Sequence, residues 1–185
     1  ICSCIDKLTK GSISRAISST EFEKKSCGDV LTISFPGALS TEYLDLVKWS
    51  KSGKPNDARN AGVNLAKKSN HNNILICGSI QKMSEDVIKG YLLRRYEFSD
   101  YKNIKNTGTG SVTLMLKRPK DFAKSLSEIK AQVDGVFFTR NLVNEPANIL
   151  NTVEFSKRLK KLSDLGVSVE ILEEKKLEEL GMNAL

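Results

Sequence analysis

Short β-branched or aromatic runs alternate with amphipathic helical segments along this 185-residue chain, and this alternation constrains the fold more than any other feature. Strands are indicated by short apolar or alternating runs bounded by Gly or Pro, and helices by apolar residues three and four apart. The predicted strands are 1–5, 30–35, 43–49, 74–77, 112–116 and 167–172. The predicted helices are 12–22, 55–68, 84–97, 122–144, 151–165 and 173–180. This order predicts an α/β fold, with a parallel or mixed sheet between helical layers.

The ends of the predicted helices carry recognisable signals. Pro55 suits the first turn of a helix, and Ser84 is a candidate N-cap for the next one. Pro146 stops the longest helix, which contains the unfavourable Gly135, at a cost of up to ~1 kcal/mol relative to Ala. Asn151 or Thr152 caps the following helix, because Glu154 stands at the capping-box spacing from Asn151.

Composition places the chain among ordinary globular proteins, with 39% apolar and 28% charged residues. No run approaches the ~20 apolar residues that span a bilayer. The first residues lack the features of a secretion signal, and without an initiator Met they are expected to lie inside a longer reading frame. The cysteines Cys2, Cys4, Cys27 and Cys77 form no CxxC pair, so reduced thiols and a cytoplasmic location are expected.

Motifs for catalysis, cofactors or metals are absent from the sequence. There is no GxGxxG and no P-loop, and the glycines at 108 and 110 precede a strand rather than a helix. The single histidine, His71, lies in a polar run typical of a solvated turn. The acidic pairs 173–174 and 178–179 alternate with lysines, as on a solvated helix face. We therefore assign no catalytic, cofactor-binding or metal-binding residue to this chain.

One segment has a much more specific pattern. Residues 139–150, TRNLVNEPANIL, resemble the signature of the leucyl aminopeptidases, a cytosolic two-metal family. The segments 57–62, 90–102, 165–172 and 177–185 resemble further stretches of that family in the same order. The resemblance is strong over residues 84–185 and weaker before them. Glu145 stands where the family commonly has Thr, and Asn183 where it commonly has Gly, which puts the turn after Met182 in doubt.

The resemblance implies a division of the chain into three parts. Residues 1–121 would form an N-terminal three-layer α/β/α domain of macro-domain-like fold with a mixed sheet. Residues 122–147 would be the interdomain helix and turn, and residues 148–185 the first helix–strand–helix of a truncated catalytic domain. Family members assemble as hexamers, bind two zinc or manganese ions and remove N-terminal residues from peptides. All metal ligands and catalytic residues of the family lie downstream of the matched segment, so this region alone is predicted to bind no metal and to be inactive.

The predicted role is that of a non-catalytic region that supports hexamer assembly and access to the active site. Two alternatives to this role remain. The net charge of +7, from 29 Lys and Arg against 22 Asp and Glu, is compatible with weak DNA binding. That reading would gain support if the basic clusters 94–95, 117–120 and 157–161 shared one face. Binding of ADP-ribose rests on fold analogy alone. The strand 167–172 is expected to have its sheet partners in the missing catalytic domain, which leaves it without a partner here.

Overall fold

The computed structural model describes residues 2–50, 52–69, 73–77, 81–101, 110–116 and 119–182. Over these ranges the protein is a mixed α/β chain, and it divides into two units, residues 1–137 and 138–185. In chain order the elements are α1 (Cys2–Leu8), α2 (Ser12–Ile17), α3 (Thr20–Glu23), β1 (Val30–Ser34), β2 (Tyr43–Val47), α4 (Pro55–Lys68), β3 (Ile74–Cys77), α5 (Gln81–Arg94), β4 (Val112–Met115), α6 (Pro119–Asn144), α7 (Thr152–Lys160), a 3-10 helix (Lys161–Leu165) and α8 (Glu174–Glu179).

The first segment is helical, so the strand predicted for residues 1–5 is wrong. A run of five residues with apolar ends fits one helical turn as well as a strand, and periodicity alone cannot separate the two. Asp6 links α1 to the next helix, because its carboxylate accepts hydrogen bonds from the backbone N and the hydroxyl of Ser14. Thr9, which is buried, donates its hydroxyl to the carbonyl of Ile5 at 3.0 Å.

The helix predicted for residues 12–22 is two helices, α2 and α3. The break lies at Ser18 and Ser19, and the Ser19 side chain caps α3 by accepting from the backbone N of Phe22 at 3.2 Å. The other end of α3 is held by Lys48, whose Nζ donates to the carbonyl of Glu23 at 2.7 Å and lies over the Phe22 ring. A lysine satisfies helix carbonyls in this way because the last turn leaves them without intrahelical partners.

The predicted strands at 30–35 and 43–49 are confirmed as the antiparallel pair β1 and β2. Their register runs from Val30 opposite Val47 to Ser34 opposite Tyr43. Thr32 donates its hydroxyl to Asp45 at 2.6 Å across the pair. The inner end of β1 is buried, which joins this hairpin to the core of residues 1–137.

Helices α4 and α5 cross with their backbones in close contact. At the crossing, a Cβ atom on Gly62 would lie 1.9 Å from the carbonyl oxygen of Val87, and one on Gly90 would lie 2.1 Å from that of Arg59. Only glycine leaves room for such an approach. The predicted bounds of α4 are confirmed. The prediction that Ser84 caps α5 is wrong, because the helix begins three residues earlier, at Gln81.

Strands β3 and β4 are confirmed close to their predicted positions, and they pair in parallel, with Ile74 opposite Val112. The four strands of the described residues form two separate two-stranded sheets rather than one mixed sheet. The predicted three-layer arrangement around a single sheet is therefore not seen in this part of the chain. One face of the parallel pair, with Ile76 and Leu114, packs on the main core cluster.

Helix α6 supplies most of that core cluster. Its buried residues Phe122, Ile129 and Val133 lie on one face at helical spacing and pack with Ile88 of α5. The helix predicted for 122–144 is confirmed and begins three residues earlier, with Pro119 in its first turn, where a proline costs no hydrogen bond.

The unit 138–185 contains the last turn of α6 and short helices. Asn151 is confirmed as the N-cap of α7, since its Oδ1 accepts from the backbone N of Glu154 at 2.9 Å. Gly166, with φ of 85°, ends the 3-10 helix. The strand predicted at 167–172 is not formed, and no pairing of this segment occurs among the described residues. Alternation favours a strand only where a neighbouring strand accepts its hydrogen bonds.

Candidate functional site

Side chains that could bind a metal do not gather in the described part of the chain. No group of three or more His, Cys, Asp or Glu residues stands close enough there to hold an ion. The residues present therefore do not fit the two-metal site that the family resemblance implies. His71, Gly108, Lys117, Arg118 and Asn183 lie outside the described residues.

The thiols are dispersed over different elements. Cys4 on α1 and Cys77 on β3 are exposed, and Cys27 in the loop before β1 is half-buried; all three are reduced. Residues 2–8 form a helix, so Cys2 and Cys4 lie on α1 rather than on the strand predicted for residues 1–5.

The basic clusters that could contact a nucleic-acid backbone are only partly available. Arg94 is exposed at the end of α5, whereas Arg95 donates to the Tyr91 hydroxyl at 3.0 Å and lies against the same ring. In the cluster at 157–161, Arg158 is engaged by carboxylates. Arg94 and the exposed lysines are therefore the described groups of these clusters that remain accessible to an anionic partner.

The strongest electrostatic arrangement is centred on Arg158. Its Nη1 lies 2.7 Å from Oε1 of Glu145, and its Nε lies 3.0 Å from Oε1 of Glu154. The two hydrogen bonds, the one to Glu145 above all, raise the pKa of the Arg158 guanidinium. The hydrogen bond from Arg158 also lowers the pKa of Glu154 below its ordinary value. Arg158 and Glu154 are therefore both charged at neutral pH.

Sequence reasoning did not find this arrangement, because it placed Arg158 in a basic cluster and Glu154 in the cap of the helix. Glu154 and Arg158 stand four residues apart on one helix face, a spacing that favours an ion pair. The partner across the turn, Glu145, carried no signal beyond its departure from the family pattern. Its side chain is 5% exposed, so the pairing depends on a tertiary contact that local spacing does not specify.

The second feature of residues 138–185 is an open groove of about 730 Å³. It lies between α7, the irregular segment after Gly166 and α8. Its lining residues are Thr152, Val153, Ser156, Lys160, Val169, Ile171, Leu172, Glu173, Glu174, Leu177, Glu178 and Met182. The helices of this unit have no buried residue, and Val153 is 75% exposed.

This exposure indicates what the groove can do. Large apolar side chains at the surface include Phe155, Ile171, Leu172, Leu180 and Met182. Contiguous apolar surface is typical of a packing interface rather than of a reaction centre. Acidic side chains border the groove beside a single lysine, and they offer no nucleophile and base in contact. The lining is therefore a mixture of apolar side chains, carboxylates and one lysine, without a catalytic pair among them.

Three comparisons with known proteins all find similarity to aminopeptidases. Residues 137–185 match the catalytic domain of the cytosol aminopeptidase family. The chain is 37% identical over 181 residues to a probable cytosol aminopeptidase of Dinoroseobacter shibae, covering 98% of this chain and 37% of that protein. It is also 37% identical over 182 residues to that of Cereibacter sphaeroides, with the same coverage. The chain thus spans little more than a third of the length of these relatives.

Solved structures show the same fold. A tomato leucine aminopeptidase superposes with a TM-score of 0.75 at 24% identity, over 96% of this chain and 38% of that one. The bottromycin maturation enzyme BotP superposes with a TM-score of 0.69 at 18% identity, over 93% of this chain and 38% of that one. A further structure of BotP is a complex with Mn.

Proposed function

We propose that this chain, which belongs to the cytosol aminopeptidase family, is the non-catalytic N-terminal region of a metallo-aminopeptidase that removes N-terminal residues from peptides. One observation carries the proposal. Nearly the whole chain aligns with little more than a third of the length of aminopeptidase relatives, whereas the match to the family's catalytic domain begins only at residue 137.

We propose the three parts as 1–121, 122–147 and 148–185. The first would be a macro-domain-like α/β domain, the second a linker helix and turn, and the third the beginning of the catalytic domain. The fold likeness to a leucine aminopeptidase over 96% of the chain supports this assignment. The exposed apolar groove of residues 138–185 supports it independently, because such a surface is expected where a larger domain continues.

The role of this region would be structural. It would support assembly of a homo-hexamer and shape access of peptides to the active sites, while two divalent metal ions, zinc or manganese, act in the downstream part of the catalytic domain. The described residues offer no ligand set for such ions, so no step of the reaction is assigned to them. A cytoplasmic location is proposed from the naming of the relatives. Among the residues that the structure describes, no helix has the length and apolar character needed to cross a bilayer.

The direct test is hydrolysis of a leucyl chromogenic substrate by the 185-residue chain and by its longer parent, each with added manganese or zinc. We expect turnover by the parent and none above the buffer control by the chain. Turnover by the chain would show that the region is catalytic by itself. An inactive but hexameric parent, loaded with metal, would refute the aminopeptidase assignment.

Two other functions are weaker candidates. The net charge of +7 favours weak, salt-sensitive DNA binding, although Arg95 and Arg158 are occupied within the protein. ADP-ribose binding has no supporting contact among the described residues, and a thermal-shift measurement with that nucleotide tests it. A rise in melting temperature that saturates with ligand would favour it.

A further inference from the structure

Arg158 joins two helices of residues 138–185 through two carboxylates. Glu145 directly follows Asn144, the last residue of α6, and Glu154 lies in the first turn of α7. Arg158, one turn further along α7, donates to both, at 2.7 and 3.0 Å. The guanidinium therefore closes a bridge across the turn that separates the helices.

The Glu145 carboxylate is the anchor of this bridge. Its side chain is 5% exposed, against 24% for Arg158 and 33% for Glu154. A carboxylate so far removed from water is costly unless a cation and hydrogen bonds compensate it. It also follows the C-terminal end of a helix, where a negative charge is unfavourable. The contact with Arg158 therefore supplies a cation and a hydrogen bond to this poorly solvated carboxylate.

The chain between the anchors is a short, ordered turn. The carbonyl of Pro146 accepts hydrogen bonds from the backbone N atoms of Ile149 and Leu150, each at 2.9 Å. Asn151 then caps α7. These hydrogen bonds lie within the turn and in the first turn of α7. Arg158 contacts both sides of the turn.

We propose that Arg158 is a positioning residue that fixes the direction in which α7 leaves α6, with Glu145 as its anchor. The importance of this position rests on the proposed function, because there the turn would join the linker helix to the first helix of the catalytic domain. A lysine cannot replace Arg158 fully, because its single ammonium lacks the planar fork that reaches two carboxylates from separate nitrogen atoms.

The test is site-resolved amide hydrogen exchange on the 185-residue chain. The reporters are the backbone amides of Glu145, bonded to Asn141 in the last turn of α6, and of Phe155, bonded to Asn151 in α7. Arg158→Ala should accelerate exchange at both by about ten-fold. The matched control is Lys157→Ala, which removes a 3.8 Å contact to Glu154 from an exposed side chain and should change neither. Arg158→Lys should restore the wild-type exchange rate at no more than one of the two reporter amides.

Three results would overturn the proposal. The first is acceleration by Arg158→Ala at Phe155 alone, which would mark the arginine as an ordinary intrahelical partner of Glu154. The second is full restoration of both amides by Arg158→Lys. If Arg158→Ala instead accelerates every amide of residues 138–182, the near-isosteric variant Glu145→Gln is measured in its place. Faster exchange of the Phe155 amide in Glu145→Gln supports the bridge, because Phe155 lies on the other side of the turn. Exchange of that amide at the wild-type rate in Glu145→Gln is the third refuting result. Exchange is independent of catalysis, so an inactive parent would leave this outcome intact.

Discussion

Replacing Gly62 with Ala should destabilise the fold, although alanine is the better helix former. The added Cβ would lie 1.9 Å from the carbonyl oxygen of Val87 and 2.7 Å from the backbone N of Tyr91. Real Cβ contacts essentially never fall below 3.0 Å, so the backbones of α4 and α5 must separate by more than about 1 Å. The clash is with backbone, which a change of rotamer cannot relieve.

The magnitude follows from two opposing terms. Alanine gains about 1 kcal/mol over glycine in a helix interior. Overpacking costs about 3 kcal/mol or more when backbone must move, and the separation also loosens the buried side chains of Ala58, Ala61, Ile88 and Tyr91 at the crossing. We expect a net loss of about 2–4 kcal/mol in the free energy of unfolding, equivalent to a lower melting temperature by about 5–15 °C.

Urea unfolding followed by circular dichroism and by the fluorescence of Trp49, the single tryptophan, measures this change. The matched control is Gly135→Ala in α6, where nothing lies within 4 Å of the added Cβ. That variant should be more stable than wild type by about 1 kcal/mol. A Gly62→Ala protein as stable as the Gly135→Ala protein would refute the backbone contact between α4 and α5. Gly90→Ala should behave like Gly62→Ala, and the double variant should cost less than the sum, because one separation relieves both clashes.

Three further outcomes are expected. Phe122→Ala should cost about 3–5 kcal/mol of unfolding free energy in urea titrations, because the ring is 2% exposed in the main core cluster; a loss below about 1 kcal/mol would contradict that packing. Hydrogen bonds from Ser14 lower the pKa of Asp6 below its ordinary value of 3.8, so its stabilisation is present above pH 3.8 and is lost as the pH falls through the lowered pKa. Melting temperatures of wild type and Asp6→Asn should accordingly converge at acidic pH, and a constant difference would argue against a stabilising contact between Asp6 and Ser14. DNA binding, measured by fluorescence anisotropy, should be non-specific and fall steeply between low and physiological salt; sequence preference that persists at physiological salt would show that the basic clusters form a specific site.

Local signals predicted most of the helices and strands. The Asn151 cap and the Pro146 boundary act through backbone geometry and hydrogen bonds within a few residues, so the sequence alone specifies them. The family resemblance, rather than periodicity, identified what kind of protein this is. Both kinds of evidence agree over the region from α5 to α8.

The sequence-based predictions were wrong or incomplete where the structure of a segment depends on contacts with a distant part of the chain. Residues 1–5 and 167–172 have patterns that suit a strand, but neither has a neighbouring strand in the described chain, and the first forms helix α1. The backbone contact at Gly62 and the ion pair of Arg158 with Glu145 depend on which surfaces meet. No local pattern encodes them, which is why the sequence left both unassigned.

The two strand pairs of this chain differ in how far apart their partners lie, and this has a kinetic consequence. Thr32 and Asp45 in the hairpin are 13 residues apart, whereas Asn73 and Ser111, which join the start of β3 to β4, are 38 apart. A threefold longer loop adds only about 1 kcal/mol of closure entropy. The parallel pair is in addition stable only after α5, which forms its crossover, and α6, which covers its inner face, have folded. The hairpin should therefore fold first, on the microsecond scale of isolated hairpins, with β3 and β4 joining in the later, rate-limiting collapse.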